Sequence, residues 1–146
     1  MPVSLVPQEK ASRLFADLKR RYRARPRAIP VSFRKLANEI GLGERVTHLV
    51  HPYPAKLLRS IPAFFVSVRE IAPEGTVVCD PFCGSGTVLL EAMCAGFDSV
   101  GLDVNPLATL ISRVKTRRLD PARIAAKQRE LLRHRSDTRQ PNAPRW

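Results

Sequence analysis

The residues best placed to do chemistry in this sequence of 146 residues lie between Asp80 and Asn105. The run TVVCD, ending at Asp80, is β-branched and reads as a short strand. PFCGSG follows it as a glycine-bearing loop, and TVLLEAMCAG reads as a helix closing on Gly96. In an open parallel sheet, ligands bind beyond the carboxyl ends of the strands, which is where this loop sits. Gly84 and Gly86 let the backbone turn tightly and approach a ligand with no Cβ in the way. The helix that starts near Ser85–Thr87 offers backbone N–H groups with no partner inside the helix. The loop lacks the lysine of the phosphate loop GxxxxGK(S/T) and the third glycine of GxGxxG. A nucleoside triphosphate or a dinucleotide is therefore a poor match.

A second strand, DSVGLDV, carries Asp103 near its end, a little over twenty residues beyond Asp80. An acid at that place can accept hydrogen bonds from ribose hydroxyls. Asp80 adds a second negative charge at the loop entry. A ligand with a ribose and a positive charge suits two acids better than a pyrophosphate does. S-adenosylmethionine has both, in its sulfonium and its α-amino group. The plainer alternative is that both aspartates only cap helices or turns. Cys83 in the loop answers a need for a small residue rather than a thiol, and Cys79 is expected to be a buried strand residue. His51, standing before a proline, reads as structural, and no metal site is expected.

DPFCGSGT followed by GLDVNPLA resembles the S-adenosylmethionine-dependent DNA methyltransferases that methylate exocyclic amino groups, on cytosine N4 or adenine N6. HPYPAKLLRSIP, some thirty residues upstream, is similar to the segment that precedes the glycine loop in that family. The resemblance runs from about Arg45 to Pro121. It implies that Asp80, Phe82, Gly84 and Gly86 line the methionine part of the cofactor. It implies that Asp103 holds the ribose, with Val104 and Asn105 near the adenine. Pro54, Ala55 and Lys56, with Tyr53 packing beside them, would close the pocket from the upstream side. The partner it implies is DNA, in methylation of the restriction–modification kind.

The family's chemistry also needs an Asp/Asn/Ser-Pro-Pro-aromatic motif, which receives the target amino group and stacks on a flipped base. The sequence contains no Pro-Pro dipeptide. The expectation is thus the cofactor-binding half of such an enzyme, inactive alone, with the rest supplied by a second polypeptide or lost from a truncated remnant. Two other readings stay open: part of an RNA methyltransferase with the same loop, or a non-catalytic basic protein that binds nucleic acid.

The elements that position these residues read as follows. Strand, loop, helix, strand and helix over 76–116 is the βαβα pattern of a doubly wound α/β fold, here a partial Rossmann-like one. Leu107, Leu110, Ile111 and Val114 form the apolar stripe expected for the second helix. Upstream, residues 9–24 read as an amphipathic helix and 32–43 as a second helix, with Ser32 at its start and Gly41 or Gly43 at its end. Residues 57–71 read as an apolar helix with Pro62 in its first turns, and Pro73-Glu74-Gly75 as a turn. Residues 122–134 read as a last helix before a polar tail expected to be disordered. The organisation expected is a basic helical segment (1–44), the cofactor-binding part with an incomplete parallel sheet (45–121), and a basic helix with its tail (122–146).

Charge follows the same division. Residues 1–35 carry ten Lys/Arg against two acids, 36–112 four against eight, and 113–146 eleven against three. An acidic middle between basic ends suits a polyanion partner such as nucleic acid, although solvated ends would look the same. There is no apolar run of transmembrane length and no secretory leader pattern. Three cysteines without a CxxC suit a reducing cytoplasm.

Overall fold

The computed structural model describes residues 8–39, 56–117 and 120–137. It contains two compact units, 1–116 and 117–146. No helix among the described residues is long and apolar enough to cross a membrane.

The first unit begins with α1 (Gln8–Ala24) and α2 (Phe33–Glu39). Ala11, Leu14, Phe15 and Leu18 recur at helical spacing in α1, and they bury one side of it. That side packs on Leu36 of α2 and on Phe64 and Val68, from α3 (Ser60–Ser67) and its C-cap. Phe64 is the hub, with edge-on contacts to Phe15, Phe33 and Phe65 at centroid distances of 6.5, 6.2 and 5.4 Å. At the start of α2 the Ser32 hydroxyl accepts only a long bond, 3.4 Å, from the Lys35 N–H. The glycines expected to end this helix lie outside the described residues.

α3 is shorter than the apolar run 57–71 suggests. Pro62 falls in its first turn, where a missing N–H costs nothing. Val68 turns extended at the other end, and the N–H groups of Ile71 and Ala72 fold back onto its carbonyl. The expected turn follows, with Thr76 N–H bonded to Pro73 O at 3.2 Å and Gly75 at φ 81°.

The sheet is parallel and, among the described residues, two-stranded: β1 (Val77–Asp80) beside β2 (Asp98–Gly101), paired Val77 to Asp98 through Asp80 to Gly101. α4 (Thr87–Ala95) connects them and ends on Gly96 in the left-handed region. Buried Val66, Ala72, Ala92 and Phe97, with Val78 beside them, join α3, α4 and β1 into a second cluster. β2 is shorter than the expected DSVGLDV strand. After Gly101 the Leu102 N–H still bonds Asp80 O, but the Leu102 carbonyl accepts from Cys83 N–H, so the chain pairs with the loop instead of a strand.

Two expectations are corrected. Cys79 is exposed, because its face of the sheet, shared with Val77 and Val100, carries no covering element among the described residues. In α5 (Pro106–Lys115) the buried side is Ala108, Ile111, Ser112 and Lys115. Of the expected stripe only Ile111 is buried, while Leu107, Leu110 and Val114 are half exposed. α5 turns Ser112 toward the glycine loop, where it closes on Gly86 and Cys83. The sheet and α5 leave Val77, Val100, Leu102, Leu107, Leu110 and Val114 half exposed or more, and exposed apolar surface favours association. The purified chain is therefore expected to bind a hydrophobic dye and to self-associate, more so as salt screens its positive ends. A sharp melt from a clean monomer without dye binding would contradict this.

In the second unit, α6 (Pro121–Asp137) starts on an Asp120 cap, whose carboxylate accepts from the Ala122 N–H at 2.9 Å. Pro121 occupies the first helical position, where no N–H partner is required. Ile124, Leu131 and Leu132 are exposed on this helix. The polar tail beyond Asp137 lies outside the described residues.

Candidate functional site

The loop between β1 and α4 is held by carboxylates at both strand ends. The Asp80 side chain accepts from the Phe82 N–H at 3.1 Å, which turns the chain out of β1. Asp103 reaches across nineteen positions, accepting from the Gly84 N–H at 2.8 Å with one oxygen and from the Asn105 N–H at 2.8 Å with the other. Asn105 in turn caps α5, its side-chain oxygen accepting from the Leu107 N–H at 2.9 Å. Both aspartates therefore do cap turns. Each carboxylate oxygen can still accept a second hydrogen bond, so a ligand role is not used up by the first.

Gly86 begins α4 at φ 77°, a conformation that side-chain-bearing residues rarely adopt. A Cβ built there would lie 2.9 Å from Ser112 Oγ and 3.0 Å from the Ser112 backbone. Both strain and contact demand glycine. Gly86→Ala is expected to cost about 1–2 kcal/mol in backbone strain and more from the backbone contact. Urea unfolding measures it, and an unchanged midpoint would refute the account.

Opposite Gly86, Cys83 is buried under Gly101, and its thiol lies 4.0 Å from Ser112 Oγ. Burial pushes the Cys83 thiol up from its ordinary value; the Ser112 hydroxyl opposes this, and the charges of Asp80 and Asp103 reinforce it. Its thiolate is thus disfavoured. Lys115, buried on α5, is pushed down first by desolvation and then by the positive charge of Lys56.

A cavity of about 240 Å³ opens beside this loop, lined by Lys56, Leu57, Asp80, Phe82, Cys83, Gly84, Ser85, Thr87 and Val88. It brings together four of the expected residues: Lys56, Asp80, Phe82 and Gly84. Asp103 does not line it but bonds to Gly84, which does, and Gly86, Val104 and Asn105 are likewise outside the lining. Phe82 and Val104 are almost fully exposed, at 88% and 102%, so their side chains are open to an incoming group. Tyr53, Pro54, Ala55 and His51 lie outside the described residues.

Three residues around the site escaped sequence reasoning. Ser112 and Lys115 share the buried stripe of α5 with Ala108. Arg59, the residue before α3, makes a buried ion pair with Glu91 of α4, Nε to Oε1 at 2.8 Å and a second guanidinium nitrogen to Oε2 at 3.4 Å. That pair joins the segment carrying Lys56 to the helix that carries the loop. A glutamate inside the otherwise apolar run LLEAMCA was the available signal.

Comparison with known proteins adds an independent line. Residues 40–112, half of the chain, match the family model described as DNA methylase. The chain is 34% identical over 83 residues to the type II methyltransferase M.MvaI of Kocuria varians, covering 56% of this chain and 18% of that protein. It is 35% identical over 79 residues to the type II methyltransferase M.MjaII of Methanocaldococcus jannaschii, covering 53% and 14%. The matched segment thus spans less than a fifth of either relative. No solved structure gives a significant match.

Proposed function

The chain belongs to this DNA methylase family, and from that premise we propose that it forms the cofactor-binding half of an N4-cytosine or N6-adenine DNA methyltransferase. The observation that carries the reading is the Asp103–Gly84 bond, which sets an acid from the end of β2 against the glycine loop after β1. That juxtaposition is what a ribose-bearing ligand at a strand-end crevice requires. S-adenosylmethionine, when bound, supplies an electrophilic methyl group.

The chain's own residues bind and orient. Asp80, Phe82, Gly84 and Gly86 take the methionine end, with Lys56 and the Tyr53–Ala55 segment closing the pocket. Asp103 accepts from the ribose, and Val104 and Asn105 border the adenine. The negative charges of Asp80 and Asp103 suit the cationic end of the ligand, whereas a pyrophosphate would be repelled. No residue here receives the target amino group, since the sequence has no Pro-Pro-aromatic motif. That motif and the target-recognition region come from a second polypeptide or from sequence beyond these residues. We place the whole assembly in the cytoplasm, in restriction–modification.

Two measurements test the proposal together. In equilibrium dialysis the chain is expected to retain labelled S-adenosylmethionine. With mixed-sequence DNA added, no label is expected in the DNA above a protein-free control. Absence of retention would reject the cofactor reading, and labelled DNA would reject the division of labour.

A further inference from the structure

We infer that the end of α1 and the segment after it, residues 20–35, form a surface that holds the phosphodiester backbone of duplex DNA. The surface lies outside the family-matched region, and the inference goes beyond cofactor binding. The choice of DNA rests on the family membership.

The matched region creates the need. Residues 40–112 carry four Lys/Arg against seven acids, so this part of the chain repels a polyanion. Within this chain, phosphate contacts fall to the flanks, and the pairing of charges on α1 marks one such stretch. Toward the start of the helix the arginines are matched: Glu9 pairs with Arg13, and Asp17 with Arg20 and Arg21. Lys19 pairs with Glu70. Beyond them the acids stop. Among the described residues no carboxylate pairs with Arg23, Arg25, Arg27, Arg34 or Lys35, and all five are exposed.

Shape supports the same partner. A groove of about 600 Å³ lies beside this cluster, with Tyr22, Arg23, Arg27, Ile29 and Val31 among its lining residues. Tyr22 is 55% exposed. Arginines lining an apolar, aromatic groove suit phosphates with their sugars, the contacts that position a protein on DNA without reading sequence. A lipid surface fits less well. The apolar side of α1 is already packed on Phe64 and Val68, so it has no face left to insert.

The test is the salt dependence of binding to a short fluorescent DNA duplex, followed by anisotropy between about 50 and 200 mM salt. The full chain is compared with Arg23→Gln/Arg25→Gln/Arg27→Gln. Its control, Arg123→Gln/Arg129→Gln/Arg133→Gln, removes the same charge from α6. Each arginine that neutralises one phosphate contributes about 0.9 to the slope of log affinity against log salt. The first triple variant should therefore lose about 2–3 from that slope, and the α6 variant should keep it. Circular dichroism confirms that both stay helical, as substitutions at exposed positions should. The inference is overturned if the parent does not bind the duplex, or if the α6 variant loses as much slope. Tighter binding of an RNA duplex of equal length overturns it too. None of these readouts uses S-adenosylmethionine, so failure of the cofactor reading would leave the result standing.

Discussion

Arg59→Met is expected to destabilise the chain by about 3–5 kcal/mol, the cost of removing one partner of a buried ion pair. Glu91 is fully buried and Arg59 is 8% exposed, so water cannot solvate the carboxylate that remains. Stabilities of ordinary domains are about 5–15 kcal/mol, and a loss of this size would bring the chain close to unfolding at room temperature. The double variant Arg59→Met/Glu91→Met should recover most of the loss, because apolar side chains of similar volume replace a desolvated pair at little or no cost. Urea unfolding of the two single variants, the double variant and the parent closes the cycle. If Arg59→Met alone shifts the midpoint no more than a surface substitution does, the pair is not the clamp between α3 and α4 described above.

Asp103→Ala is expected to weaken S-adenosylmethionine binding by roughly ten- to a hundredfold, since a hydrogen bond to a charged group is worth about 1.5–3 kcal/mol. The same change releases Gly84 and Asn105, so affinity alone does not isolate the ribose contact. A ligand lacking the 2′-hydroxyl separates the two effects. The parent should discriminate against the deoxy ligand, and Asp103→Ala should bind both forms equally. Calorimetry reads all four combinations. Equal discrimination by parent and variant would assign Asp103 to the loop alone.

Much of this architecture was legible in the sequence because local rules agreed with the packing. TVVCD, PFCGSG and the helix closing on Gly96 each carry their own signal, and strand, positive-φ glycine and helix stand where those signals put them. Asp80 and Asp103 stood out in the sequence as acids at strand ends, and the structure sets both against the glycine loop. Their bonds to backbone N–H groups were the plainer alternative, and these bonds are what the structure shows. The orientation of α5 was not legible. Periodicity identifies an apolar stripe but does not say which neighbour it faces, and it is Ser112, not a leucine, that packs against Gly86. Cys79 was misjudged for a related reason: burial of a strand residue depends on the layer above it, and nothing local in the sequence encodes that layer. The Arg59–Glu91 pair spans thirty-two positions, beyond the reach of helical or strand spacing.

The two bonds from Asp103 also bear on the thermodynamic signature of ligand entry. Gly84 and Asn105 are tied to one carboxylate, which removes backbone freedom from the loop and from the start of α5. A glycine loop free to explore both signs of φ would lose about 1–2 kcal/mol per residue in entropy on being fixed. Here that loss falls on folding instead of on binding. The ligand proposed for this loop is accordingly expected to bind with little of the conformational penalty that flexible glycine loops show.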